Sequence, residues 1–172
     1  MLKSRKVLYA AVAALFLAPA TASADTFVSP FVGVVFGGET DDTRPNFGAQ
    51  VTLMGRGLGL ELEAAHTPDF FEGLSITTYS ANYVAGGDAT AGGWKPFGSV
   101  GVTLMRASGD GESQNKFAVN LGGGIVALFT DAIGIRGEIR YFRRLQDDEE
   151  GLFPRPDVFD YWRAAGGLVF RF

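Results

Sequence analysis

Six charged residues recur at alternate positions: Glu61 and Glu63, then Arg136, Glu138 and Arg140, with Arg163 further on. Two carboxylates spaced this way can act as an acid–base pair when their environments split their proton affinities. The same carboxylates beside three arginines can instead neutralise them as buried ion pairs. No nucleophile accompanies the set, so ion pairing is preferred over catalysis. His66 is the only histidine. A general base needs a nucleophile and an orienting third group. The stretch His66-Thr67-Pro68 supplies no serine, and Glu72 and Ser75 follow without a recognisable signature. Gly122-Gly123-Gly124-Ile125-Val126-Ala127 has the outline of a dinucleotide-binding turn. That chemistry requires a following helix and an acidic residue about twenty positions on. Here β-type alternation continues instead. Asp41-Asp42 and the acidic run 147–150 could attract divalent cations, but no calcium-loop spacing is present, and such runs are first of all solvated loops. No cofactor and no metal site is expected.

The elements that must carry these residues begin after an N-terminal leader. Lys3, Arg5 and Lys6 precede an apolar run, 7–18, and then Pro19 and Ala22-Ser23-Ala24. Basic, apolar, then small-x-small is the layout of a secretory signal peptide, with cleavage expected after Ala24. The run is too short to cross a bilayer as a helix. The expected organisation is a signal peptide over 1–24 and one domain over 25–172. The leader holds three of the fifteen basic residues and none of the nineteen acidic ones, so the remaining chain carries a net charge of −7. An acidic chain of this kind is poorly suited to nucleic acid. Without cysteine, no disulfide framework or thiolate metal site is available. No apolar run approaches a membrane-spanning helix after the leader. The 24 glycines argue against helices altogether.

Alternation with a period of two divides residues 25–172 into eight expected strands: 27–36, 46–55, 58–66, 74–85, 95–106, 116–129, 133–143 and 160–172. In the third, Leu58, Leu60, Leu62 and Ala64 alternate with Glu61, Glu63 and Ala65. In the seventh, Ile135, Gly137, Ile139 and Tyr141 alternate with Arg136, Glu138 and Arg140. Period two gives each set its own face. The first strand gives no such sign. Phe27, Phe31 and Val35 share one face, Val28, Val32 and Val34 the other, and neither is assigned inward. A two-residue turn at Arg56-Gly57 would set Thr52 opposite Glu61 and Gln50 opposite Glu63, with apolar pairs between them. Across the 130–132 turn, Gly124 would face Glu138 and Gly122 would face Arg140, leaving long side chains room in a narrow lumen. Short or bland connections at 56–57, 86–93 and 130–132 alternate with longer ones at 37–45, 66–73, 107–115 and 144–159. The longer set collects acid: Glu39, Asp41 and Asp42, Asp69 and Glu72, Asp110 and Glu112, and the run 147–150. The loop 151–156 has an apolar tip between prolines, suited to a partner or to the barrel rim.

The final stretch Gly166-Gly167-Leu168-Val169-Phe170-Arg171-Phe172 resembles the C-terminal strand of bacterial outer-membrane proteins, and 135–141 is similar to the penultimate strand of the small OmpA/OmpX-type barrels. The resemblance implies an all-β fold: an eight-stranded antiparallel transmembrane barrel, an up-and-down meander, without a periplasmic peptidoglycan-binding domain. It implies that Leu168, Phe170 and Phe172 form the signal read by the barrel assembly machinery. The implied surroundings are outer-membrane lipid and lipopolysaccharide, with no nucleic acid, and a monomer is expected. Such barrels include adhesins, structural proteins, narrow channels and lipid A-modifying enzymes. The deacylases among them carry His and Ser two residues apart, a spacing that His66 lacks, so no enzyme is expected. The leading expectation is a structural or surface-interaction barrel in the outer membrane, its lumen filled by salt-bridged Glu61, Glu63, Arg136, Glu138, Arg140 and Arg163, with acidic extracellular loops. A narrow channel for small solutes is the alternative, and a lipid A-modifying enzyme is the second.

Overall fold

β-Branched and aromatic residues at every second position favour extended chain, and polar residues between them give each strand two unlike faces. In a computed structural model the described residues are 25–38, 42–71, 73–87, 93–109, 112–145 and 159–172. They form eight strands: β1 (Asp25–Phe36), β2 (Arg44–Met54), β3 (Leu58–Phe71), β4 (Leu74–Gly86), β5 (Trp94–Gly109), β6 (Glu112–Leu128), β7 (Ile133–Arg144) and β8 (Asp160–Arg171). Each pairs antiparallel with the next, and β8 closes on β1. Closure leaves no sheet edge to template aggregation. The hairpin at Arg56-Gly57 sets Gln50 against Glu63 and Thr52 against Glu61.

One end of the barrel carries the connections 55–57, 87–93 and 129–132, together with Asp25 and Phe172. This is the turn end. Phe172 extends the closure seam beyond β8, its N–H donating to the Thr26 carbonyl at 2.9 Å. The opposite end carries 37–43, 72–73, 110–111 and 145–159 and is the loop end.

Two of the expected long loops are strand. β3 runs on through Phe71 and β4 starts at Leu74, so 66–73 shrinks to a two-residue connection. Pro68 and Asp69 read as turn residues in sequence. In the structure they occupy an irregularity where the β3–β4 register shifts, and Asp69 adopts a positive φ of 45°. A bulge accepts the missing proline N–H that a regular ladder would not. β5 and β6 likewise continue to Gly109 and from Glu112, pairing Arg106 with Asn115 and Ser108 with Ser113. Their outward side chains are polar there, which imitates a loop in sequence. Glu39, Asp41, Glu72, Asp110, the run 147–150 and the loop 151–156 lie outside the described residues.

The exterior is an apolar band. Val32, Val51, Leu53, Leu62, Val100, Val102, Leu121, Ile139 and Leu168 all project outward and are exposed. Aromatic residues border the band. Phe47, Phe117, Tyr141 and Trp162 lie toward the loop ends of their strands, and Tyr83, Trp94, Phe129 and Phe172 lie toward the turn end. A soluble protein does not expose a patch this continuous. Apolar wall between two aromatic belts is the exterior of a barrel solvated by lipid.

Candidate functional site

The lumen has three storeys. The middle one holds all six charged residues named from the sequence. Glu61 and Glu63 project inward from β3, Arg136, Glu138 and Arg140 from β7, and Arg163 from β8. All are buried, with Arg140 at 0% and Arg163 at 1% exposure. Glu63 takes Arg163 in a two-pronged pair, Nη1 to Oε1 at 2.7 Å and Nη2 to Oε2 at 2.6 Å. Arg140 Nη1 lies 3.1 Å from the same carboxylate. Glu138 accepts from Arg163 Nη2 at 2.6 Å on Oε1, and from Arg136 Nη2 at 2.7 Å and Arg140 Nη2 at 3.2 Å on Oε2. Glu61 accepts from Arg140 Nη2 at 2.9 Å and pairs with Arg136 Nη1 at 2.8 Å. Three carboxylates thus bridge three guanidiniums, and the set is neutral. Arg140 and Arg163 are direct cross-strand partners. Glu63 and Glu138 both stand between them, which offsets the like-charge contact.

Polar side chains complete the network. The Thr52 hydroxyl and Asn82 Nδ2 donate to Glu61 at 3.0 Å each. Asn120 donates to Asn82 at 2.8 Å and to Thr103 at 3.0 Å, and Ser80 lies 2.9 Å from Thr103. The Gln50 amide, turned with its nitrogen toward Glu63, accepts from Arg136 Nε at 2.9 Å. Asn82, Thr103, Asn120 and Ser80 were not singled out in sequence. Their signal is modest: each is a polar residue at an inward parity on β4, β5 or β6. The guanidiniums also rest on aromatic rings, Arg136 at 4.1 Å from the Phe97 centroid and Arg163 at 4.7 Å from that of Phe31. Such cation–π contacts gain strength away from water.

Gly122 and Gly124 stand opposite Arg140 and Glu138 on β6. A Cβ on Gly124 would meet the Gly137 carbonyl, the Phe97 ring at 2.8 Å and the Glu138 Cα at 2.9 Å. Glycine there admits the close approach that the network needs.

The storey at the loop end is mainly apolar, with Lys116 and Arg144 buried beside its cluster. Val35, Phe70, Leu74, Ile76, Met105, Ala107, Ala118, Phe142, Phe159 and Tyr161 form one buried cluster. The Phe142 and Tyr161 rings stack at 4.9 Å, and Phe70 meets Tyr161 edge-on at 5.2 Å. The storey at the turn end is hollow: a cavity of about 400 Å³ runs from the network to the barrel mouth.

His66 sits within β3, five residues before its end, rather than at the junction with a loop. It faces outward, packs on Phe47 at 5.5 Å, and places Nδ1 3.0 Å from the Thr77 hydroxyl across the β3–β4 ladder. That hydroxyl comes from the next strand, so spacing along β3 could not reveal it. Leu168, Phe170 and Phe172 share the outward parity of the last strand, Leu168 and Phe172 exposed and Phe170 half-buried. Among the described residues, no group of three or more His, Asp or Glu is placed to hold a metal ion.

No protein-family model and no curated protein matches the chain. Solved structures do. The N-terminal barrel domain of Pseudomonas aeruginosa OprF aligns with a TM-score of 0.62 at 16% identity, over 86% of this chain and 97% of that one. Neisserial surface protein A aligns at 0.66 and 12%, over 87% and 97%. Ail, the attachment invasion locus protein of Yersinia pestis, solved with the heparin analogue sucrose octasulfate, aligns at 0.57 and 17%, over 87% and 99%. At these identities the likeness is one of architecture. The chain is a closed eight-stranded antiparallel β-barrel with the fold of the small OmpA/OmpX-type outer-membrane barrels.

Proposed function

We propose that this barrel resides in a bacterial outer membrane as a non-enzymatic, non-conducting wall element that presents its loop end to the outside. The observation that carries this reading is the double closure of the lumen. A neutral network of three carboxylates and three arginines spans the middle, and an apolar cluster seals the loop end above it. Buried charges demand partners, and a set in which every carboxylate faces guanidiniums and every guanidinium faces carboxylates is a filling rather than a poised acid or base. An eight-stranded barrel is narrow enough for side chains to fill it. Lipid and lipopolysaccharide are the surroundings that the apolar band and aromatic belts suit. The outward stripe Leu168, Phe170, Phe172 is available to the barrel assembly machinery. Envelope integrity or surface contact is the resulting role, and a monomer suffices for it.

The test is single-molecule conductance of the refolded barrel in a planar bilayer, beside labelling in intact cells. Wild type should give no resolved current steps. Ser113→Cys, at the loop end of β6, should react with an impermeant thiol reagent added outside. Steady conductance in wild type would favour the narrow channel, and lipid A altered on expression would favour the enzyme.

A further inference from the structure

The hollow storey at the turn end is built unlike the rest of the lumen. Its walls are Phe27, Met54, Val84, Phe97, Leu128 and Val169, all inward-facing and mostly apolar. Ser29, Thr52 and Arg136 form its inner end. Thr52 and Arg136 are engaged with Glu61 and Glu138. The Ser29 hydroxyl, on a residue only 1% exposed, has no hydrogen-bond partner among the described residues. From Asp25 at the mouth to Ser29 is four strand residues, so the chamber is roughly 13 Å deep along the strand. At about 400 Å³ it falls within the size range of small-ligand pockets, which occur in the mouths of β-barrels.

The mouth has a sign. Lys95 lines it and is exposed. Arg56, in the turn between the lining residues Gly55 and Gly57, is at this end of the barrel but does not line the cavity. Asp25, also on the lining, is held by Arg171 at 2.8 Å. Asp131 is at the same end of the barrel but does not line the cavity. Lys95 is therefore the cation on the lining of the mouth, beside one neutralised pair. An apolar chamber behind a cationic mouth is complementary to a molecule with an apolar body and an anionic head.

We propose that the turn-end chamber binds a small amphipathic anion, such as a medium-chain carboxylate. Its chain lies against Phe27, Met54, Val84 and Leu128, and its head meets Lys95. The network seals the inner end, so the molecule enters and leaves by the mouth alone. With the barrel oriented as above, the mouth opens to the periplasm, yet the binding itself does not depend on that orientation.

The chain has no native cysteine, so a single introduced thiol reports cleanly. Val126→Cys, on the chamber wall, is refolded into phosphatidylcholine nanodiscs and alkylated with N-ethylmaleimide. Ser113→Cys at the loop end is the control. Decanoate should slow alkylation at position 126 at least tenfold in a saturable way and leave position 113 unchanged. Decyltrimethylammonium, with the same apolar body and the opposite charge, should slow it less than twofold. Lys95→Glu should weaken decanoate at least fivefold and narrow the gap between the two amphiphiles. Leu128→Cys reports on the same wall should Val126→Cys fail to assemble. No protection by decanoate, equal protection by both amphiphiles, or an unchanged response in Lys95→Glu would each overturn the proposal. None of these results bears on whether the lumen conducts.

Discussion

The middle and loop-end storeys fill the same barrel by opposite means. The middle is held by directional pairs: Glu138 touches three arginines, and each arginine in turn reaches at least two carboxylates. The loop end is held chiefly by dispersion and burial among rings and aliphatic side chains, which need no directional partner, with Lys116 and Arg144 buried at its side. The difference teaches how each fails. Loss of one carboxylate leaves buried guanidiniums uncompensated. Loss of one ring leaves a void that neighbours can partly close.

The comparison breaks most visibly at Glu138. Glu138→Ala should destabilise by about 3–5 kcal/mol, since removing one partner strands the others. The urea midpoint of the refolded barrel measures it, and a shift no larger than that of Glu112→Ala would contradict the structural role. Glu112 is the first residue of β6 and exposed, and its loss should leave the midpoint where it is.

Phe142 comes next. Phe142→Ala should cost about 3 kcal/mol, toward the low end for a buried phenylalanine because the flexible Met105 can move into the space. Conductance sharpens the contrast. Phe142→Ala alone should stay silent in a planar bilayer, because the network beneath still closes the lumen. The double variant Glu138→Ala, Phe142→Ala should give current steps. Steps from Phe142→Ala alone would mean that the network is no barrier.

His66→Ala removes one hydrogen bond to Thr77 and a ring contact on the outer wall. About 0.5–1.5 kcal/mol is the expected loss, with lipid A acylation unchanged by mass spectrometry. Loss of an acyl-chain modification with the barrel intact would turn His66 and Thr77 into catalytic candidates. The smallest effect belongs to Asp25→Asn. Its pair with Arg171 is about one-third to two-fifths exposed, and such pairs contribute roughly 0–1 kcal/mol. High salt should abolish even that difference while leaving the cost of Glu138→Ala nearly intact, since buried pairs are screened far less.

Period-two alternation in the sequence was enough to assign faces on β2, β3, β7 and β8, and the tight turn at Arg56-Gly57 was enough to set a register. Side chains on a strand point to alternate sides whatever lies around them, so polar and apolar parity is readable locally. Glu61, Glu63, Arg136, Glu138, Arg140 and Arg163 were legible on that ground. Depth and partnership were not. Arg163 meets Glu63 across 100 residues and Arg140 meets Glu61 across 79, and only closure of β8 on β1 brings them together. Closure also decided β1, whose two apolar faces carry no parity signal. Pairing Val35 with Arg163 and Phe31 with Gly167 turns Phe27, Phe31 and Val35 inward, where Phe31 lies beneath the Arg163 guanidinium. The ends of β3, β5 and β6 were hidden for a related reason. Beyond the apolar band an outward strand residue meets polar surroundings, so Pro68, Asp69 and Ser108 read as loop although their backbones continue the sheet. Local pattern reports which way a side chain points. Where it lies along the barrel, and what it meets there, is set by the stagger of eight strands closing on one another.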